Sequence, residues 1–351
     1  MPDDMRTSAR MELVSVITPC CNAAPFVAET IESVLAQTYP QIEHIVIDDG
    51  SVDSSWEIIE RYAPSVTALR LERNRGGSYA RNRGVEQARG EFLMFLDADD
   101  LISPDTIGAL VEAARQQPGS IAICECKRWR KQPDGRWTES PRERPVPEPG
   151  TDLFKAYLTM SAWPPPCCIL WPRDVYELTG GWDEELARDQ DTDILLRAYA
   201  RGSQLVRAQG GIGYYRLVEG TGVSVSSGIS LARYHASIRV LDKLTAELTG
   251  RGEHHLYAAL LSRAYHQKAL FGFRAGFWEE AREALRKGEA RGRHVASTRP
   301  SARILERLLG MERKERVVQF LIGLGLTTAN RREIARRKRM SSTTDVPFVR
   351  T

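Results

Sequence analysis

The sequence predicts an α/β protein: a doubly wound, mostly parallel, Rossmann-like sheet followed by a C-terminal α-helical appendage. Three observations predict it. Short apolar runs alternate with segments of helical period through the first hundred residues. Carboxylates gather just beyond the ends of those runs, where a doubly wound sheet binds its ligands. From about Ser230 onward the pattern changes to long helical periodicity alone.

Leu13 to Thr18 is a β-rich run closed by Pro19, and Pro25 to Gln37 carries Phe26, Val27, Ile31, Val34 and Leu35 at helical spacing. His44 to Ile47 is a second strand; Asp48-Asp49-Gly50-Ser51 is a turn, and Trp56 to Tyr62 a helix capped by Asp53 or Ser54. Ala68 to Leu71, the loop Glu72 to Ser78, a helix over Tyr79 to Ala88 and a strand over Phe92 to Leu96 complete the alternation. Pro133 to Gly150, PDGRWTESPRERPVPEPG, reads as an exposed excursion. A helix over Asp152 to Met160, a proline-rich aromatic segment from Trp163 to Trp171, and a helix over Ile194 to Arg201 follow. The appendage holds helical patterns at Leu231 to Leu248, His254 to Gly272, Trp278 to Gly288, Ala302 to Leu309 and Arg316 to Leu324. The small and large apolar residues around Ala264, Ala269, Phe277, Ala281, Ala284 and Leu285 suit one pair of packed helices. The expected domains are 11–228, in halves 11–101 and 102–228, then the appendage 229–330 and a basic tail 331–351.

With 42% hydrophobic and 27% charged residues, the 351-residue chain has the composition of a soluble globular protein. Its net charge of +3 hides an asymmetry, because RREIARRKR at 331–339 is a basic run suited to an anionic surface. The six cysteines fall at Cys20-Cys21, Cys124-x-Cys126 and Cys167-Cys168, spacings that match no zinc site and suit reduced thiols. The first residues lack the apolar core of a signal peptide, and Val317 to Ala329 is too short to span a bilayer. The expectation is a cytoplasmic protein, peripheral at the inner face of the cell membrane through its C-terminal helices and tail, with no nucleic-acid partner.

Phe92-Leu93-Met94-Phe95-Leu96-Asp97-Ala98-Asp99-Asp100 is the most informative stretch: a buried strand ending in three carboxylates within four residues. Their repulsion calls for a cation, and oxygen donors at a strand end suit Mg²⁺ or Mn²⁺. The competing reading is a solvated acidic turn. In Asp48-Asp49-Gly50-Ser51, turn chemistry accounts for Gly50 and Ser51 but not for two adjacent carboxylates. Asp189-Gln190-Asp191-Thr192-Asp193 opens a helix, where acidic residues are favoured by the dipole, and Asp193 and Arg197 suit a structural i,i+4 pair.

In order and spacing from about residue 13 to residue 220, these segments resemble the family 2 glycosyltransferases with the GT-A fold. The resemblance rests on VSVITPCCN at 14–22, IESVLAQTY at 31–39, IDDGSVD at 47–53, NRGGSYARNRG at 74–84, and GEF at 90–92 with LDADD at 96–100. It implies metal-dependent, inverting transfer of a sugar from a nucleoside diphosphate sugar, a UDP-sugar first. The acceptor would be a hydroxyl of a saccharide or lipid-linked molecule in cell-surface glycan synthesis. By resemblance, Asp49 accepts a hydrogen bond from the uracil ring, flanked by Pro19, Cys21 and Asn22. Arg81 lies near the diphosphate, Asp97 toward the ribose, Asp99 ligates Mn²⁺ or Mg²⁺, and Asp191 is the base. Gln190 replaces a usual Glu, Cys21 a usual aromatic, and Val218 a histidine that joins the metal site in some members. Trp163 and Trp182 stand in the acceptor half, as sugar-stacking faces or as core. A sugar nucleotidyltransferase and a dinucleotide-binding dehydrogenase both want a glycine-rich loop after the first strand, and Pro19 to Phe26 has no glycine. The alternatives are a catalytically impaired glycosyltransferase-like scaffold protein, kept open by Gln190, Cys21 and Val218, and the sugar nucleotidyltransferase.

Overall fold

The structure is a computed structural model in which residues 11–132, 134–140, 145–217, 230–292 and 300–323 are described. The chain divides into two compact units, Met1–Val225 and Ser226–Thr351.

The first unit begins with β1 (Val14–Cys20), α1 (Val27–Leu35), β2 (Ile42–Asp48), α2 (Ser55–Glu60), β3 (Thr67–Arg70), α3 (Gly77–Gln87) and β4 (Phe92–Phe95). It continues with β5 (Leu101–Ile102), α4 (Thr106–Gln116), β6 (Ile121–Lys131), β7 (Trp137–Glu139), α5 (Leu153–Thr159), β8 (Ile169–Pro172), α6 (Arg173–Leu178), α7 (Gln190–Ala200) and β9 (Leu205–Leu217). One sheet carries the strands in the order β3-β2-β1-β4-β8-β6-β9-β5, with β7 paired to β6.

The first four strands are parallel, as their alternation with helices predicts. Beyond β4 the sheet is mixed: β8 runs antiparallel to both β4 and β6, and β9 runs parallel to β6. Two reversals bring β6 and β9 back into the direction of β1 and β4. The C-terminal ends of β1, β2, β4, β6 and β9 therefore share one edge of the sheet. The proline-rich excursion holds β7, which pairs Trp137 with Lys131, and the aromatic segment around Trp171 is β8, buried along its whole length.

β1 is buried on both faces because α1 and the other helices cover it. α1 presents Val27, Thr30, Ile31 and Val34 to the sheet. α3 has almost no apolar stripe and packs instead by close approach. A Cβ on Gly84 would stand 2.5 Å from Ile17 Cγ2 and 2.7 Å from Ile47 Cδ1, so only glycine lets this helix lie so near the strands. That approach carries the next turn of α3, with Arg81, to the crevice at the strand ends.

The second unit holds α8 (Leu231–Gly250), α9 (His254–Ala275), α10 (Trp278–Glu289), α11 (Pro300–Leu309) and α12 (Met311–Gly323). Ala269 and Phe273 of α9 pack with Ala281 and Ala284 of α10, the paired helices that the small and large alternation predicts. Lys314 is buried and holds Glu306 at 2.9 Å and Glu315 at 2.7 Å.

Candidate active site

At the shared edge, the turn after β1 is locked to the turn after β2. The Asn22 N–H donates to Ser51 Oγ at 2.9 Å, and Asn22 Oδ1 accepts from the Val52 N–H at 2.9 Å. Asn22 adopts φ +51, a left-handed conformation that Asn tolerates better than most residues. Half-buried Pro19 and Cys21 flank it, and Asn74 Nδ2 donates to Cys21 Sγ at 2.9 Å. Burial pushes the Cys20 thiol up to about 12 and the Cys21 thiol upward as well, so both stay protonated.

Asp49 is buried, and its two oxygens accept from the backbone N–H groups of Arg75 and Gly76 at 2.7 and 2.8 Å. It thereby fixes the loop between β3 and α3. Burial raises its pKa, opposed by those two hydrogen bonds. Each carboxylate oxygen keeps an acceptor site for a further donor.

Arg81 is the centre of the second group. Its Nη2 donates to Asp97 Oδ1 at 2.5 Å and its Nη1 to Gln190 Oε1 at 2.9 Å. The guanidinium carbon lies 4.6 Å from the centre of the Trp182 ring, a cation–π shelf. One buried cation thus ties the end of β4 to the start of α7, two segments far apart in sequence. Gln190, the residue that replaces the usual Glu, also donates from Nε2 to the Leu186 carbonyl at 2.6 Å. In this position it accepts from Arg81 as a glutamate would, without the charge.

Asp191 stands one residue further along α7, and burial, reinforced by the charge of Asp189, pushes its pKa up to about 6. Burial, reinforced by Asp97, does the same to Asp99, also to about 6. Asp100 is buried outright and pushed well above the ordinary carboxylate range by desolvation, with Asp99 adding to it. Its Oδ1 accepts from the Arg216 N–H at 2.9 Å, while its Oδ2 is buried without a partner.

Arg216, at the end of β9, has a buried side chain that donates to the Asp99 carbonyl and to Glu29, and its guanidinium lies over Phe26 and Trp137. Thr30 Oγ1 lies 2.9 Å from the carbonyls of Ala98 and Asp100. The carboxylate turn is therefore clamped from α1 on one side and β9 on the other. Asn82 performs a similar task for the segment before α7: its Nδ2 donates to the Trp182 carbonyl at 2.9 Å, and its Oδ1 accepts from the Trp182 N–H at 3.0 Å. Sequence reasoning missed Arg216, Thr30 and Asn82. Asn82 lies within a quoted motif, but the partners of Asn82 and Arg216 are visible only once β9 and the Trp182 segment have places in the fold.

Asp193 and Arg197 form the predicted i,i+4 pair at 2.6 Å. Trp182, 4% exposed, packs its edge on Phe95 at 4.9 Å beneath Arg81, and Trp163, 6% exposed, packs against Tyr157. Both rings stand in the core, each with its Nε1 buried and unpartnered. Val218 lies outside the described residues.

Among the described residues no group of three metal-ligating side chains stands preassembled. Asp99 nevertheless takes no side-chain hydrogen bond from another described residue, and Asp97 commits one oxygen to Arg81. An oxygen-only donor set of this kind fits a hard divalent cation that takes its remaining ligands from a diphosphate.

Residues 15–174 match the model of glycosyl transferase family 2. The uncharacterized glycosyltransferase EpsJ of Bacillus subtilis is 33% identical over 213 residues, covering 58% of this chain and 61% of that protein. The poly-β-1,6-N-acetyl-D-glucosamine synthase of Staphylococcus epidermidis is 37% identical over 116 residues, 32% of this chain and 28% of that one. The chain thus spans less than two thirds of the length of either relative. Among solved structures, Staphylococcus aureus TarS 1-349 in complex with UDP-GlcNAc superposes with a TM-score of 0.64 at 20% identity, covering 90% of this chain and 93% of that one, a likeness of fold. Within its first unit, residues 15–174 are thus similar to glycosyl transferase family 2.

Proposed function

We propose that the protein transfers a sugar from a nucleoside diphosphate sugar, a UDP-sugar first, to a hydroxyl of a saccharide or lipid-linked acceptor in cell-surface glycan synthesis. The observation that carries this reading is the Arg81 bridge. It joins Asp97 of the donor half to Gln190 and so sets Asp191, a carboxylate poised near pH 6, beside the strand-end carboxylates. EpsJ is named a glycosyltransferase, and TarS is seen with UDP-GlcNAc; both support the reading.

In this mechanism Asp49 and the Asn22 turn receive the base, with Pro19 and Cys21 at its flanks. Arg81 and Asp97 orient the diphosphate and ribose. Asp99 holds Mn²⁺ or Mg²⁺, whose chemistry is to offset charge on the departing diphosphate. Asp191 takes the proton of the acceptor hydroxyl as that oxygen bonds to the anomeric carbon. The bond from the anomeric carbon to the diphosphate oxygen breaks and its electron pair leaves with the nucleoside diphosphate. Attack opposite the leaving group inverts the anomeric centre. Above pH 6 Asp191 is ionised and competent as a base.

The basic tail and C-terminal helices would hold the protein at an anionic membrane face. No helix among the described residues is long and apolar enough to cross a membrane. Exposed Ile304, Leu308 and Phe320 beside Arg303, Arg307 and Arg316 support a peripheral contact.

The test is a thermal melt with UDP, GDP or dTDP and Mn²⁺. We expect UDP with Mn²⁺ to raise the melting temperature of the native protein and Asp99→Ala to abolish the metal-dependent part. An unchanged melt with every nucleotide defeats the donor site.

A further inference from the structure

β6 ends in Lys127-Arg128-Trp129-Arg130-Lys131, a strand segment rich in cations that the mechanism above does not use. Arg128 differs from its neighbours. Its guanidinium lies over the Tyr215 ring, 5.3 Å from the centroid, and the register pairs the two residues across β6 and β9. Among the described residues it has no ion pair, and its Nε is buried without a hydrogen-bond partner. Arg81 and Arg216, the buried arginines at this edge, are each committed to a carboxylate. A guanidinium held half-buried without an anion has given up hydration and received no charge in return.

Its place is equally specific. The residue after Tyr215 is Arg216, whose N–H donates to Asp100 and whose side chain donates to the Asp99 carbonyl. Tyr215 is therefore adjacent to the carboxylate turn, and the charges of Asp100, Asp97, Asp191 and Asp99 all raise its pKa, burial being the first cause. Arg128 thus flanks the crevice from β6. That strand lies beyond β8, away from β1 and β2, where the base and ribose are received.

Resting on the proposed transfer reaction, we infer that Arg128 is the oxyanion-binding group of the acceptor subsite. The acceptor would then carry a phosphate or carboxylate close to the hydroxyl that Asp191 deprotonates. A guanidinium suits either anion through paired N–H donors, and Tyr215 holds the group flat against β9. The carboxylates of the crevice repel an anionic acceptor, so a dedicated cation on the acceptor side gives such a molecule one productive approach.

The experiment titrates inorganic phosphate into the full-length protein by calorimetry, free and saturated with UDP and Mn²⁺, and repeats both with Arg128→Gln and Arg128→Lys. Melting temperatures confirm that each variant is folded. We expect phosphate to bind the UDP-loaded protein, Arg128→Gln to weaken it at least tenfold, Arg128→Lys to retain most of it, and UDP affinity to stay within twofold throughout. Equal phosphate binding by native protein and Arg128→Gln overturns the inference, as an adventitious ion only. Displacement of phosphate by UDP, or a tenfold loss of UDP affinity in Arg128→Gln, also overturns it by assigning Arg128 to the donor diphosphate. If UDP fails to bind while phosphate binding still depends on Arg128, the donor reading falls and the anion site stands.

Discussion

In the proposed transfer, Asp191 would owe its strength as a base to position more than to type. An exposed aspartate titrates near 4, is a weak base and stays ionised at almost any working pH. Burial at the start of α7, with Asp189 nearby, lifts Asp191 to about 6, so its ionised form is both populated at neutral pH and basic enough to accept a proton. The sign for activity follows directly. Below pH 6 the carboxyl is protonated and cannot take the acceptor proton, so the rate falls about tenfold per pH unit on the acid limb. Asp191→Asn removes the base at every pH, and we expect transfer to drop about 10²- to 10⁴-fold with UDP affinity unchanged. Nucleotide release measured from pH 5 to 8 checks both statements. An acid limb that survives unchanged in residual Asp191→Asn activity would place the base elsewhere.

Glycines decide how closely the loops and helices of the donor half pack, and Gly50 is the clearest case. It adopts φ +64 in the turn between β2 and α2, and a Cβ there would lie 2.5 Å from Arg73 C and Asn74 N. Both are backbone atoms of the loop whose next N–H groups bind Asp49, so the loop cannot yield without releasing that carboxylate. Gly50→Ala should cost about 1–3 kcal/mol of stability through strain and overpacking. It should also weaken UDP binding at least tenfold, read by urea unfolding and calorimetry. Native UDP affinity in a destabilised variant would separate Asp49 from base recognition.

The same elements show what sequence could and could not supply. β1 through β4 were legible because each is a local apolar run, and α1 because its apolar residues recur at helical spacing. β6, β8 and β9 were not, because their pairing depends on residues far away in sequence: Leu170 lies between Met94 and Ala122. Asp97, Asp99 and Asp191 were legible as motif residues. The Arg81 bridge and the Arg216 clamp were not, since a side chain's partner across the crevice leaves no spacing signal.

At the scale of the whole molecule, acid stability sets opposing groups against one another. Asp99, Asp100 and Asp191 have folded pKa values above their unfolded ones, so they favour the folded state as pH falls toward 4. His44 does the reverse. It is buried in β2, with Nε2 2.9 Å from Thr18 Oγ1 and Nδ1 unpartnered, and desolvation lowers its pKa to about 3. Between its unfolded value near 6.5 and that folded value, the unfolded chain takes up a proton the folded chain refuses. Stability from this group is therefore complete above pH 6.5 and declines below it, by about 2 kcal/mol at pH 5 relative to pH 8. The carboxylates mask this loss in the native protein, but they cancel when His44→Gln is compared with it. The stability difference between the two should move by about 2 kcal/mol in favour of His44→Gln as pH falls from 8 to 5. Of the seven tryptophans, all but Trp278 fall in the first unit, so tryptophan fluorescence in urea follows the unfolding of the unit that contains His44. Parallel pH profiles for the two proteins would show that His44 charges in the folded state, and that the core between β1 and β2 admits water.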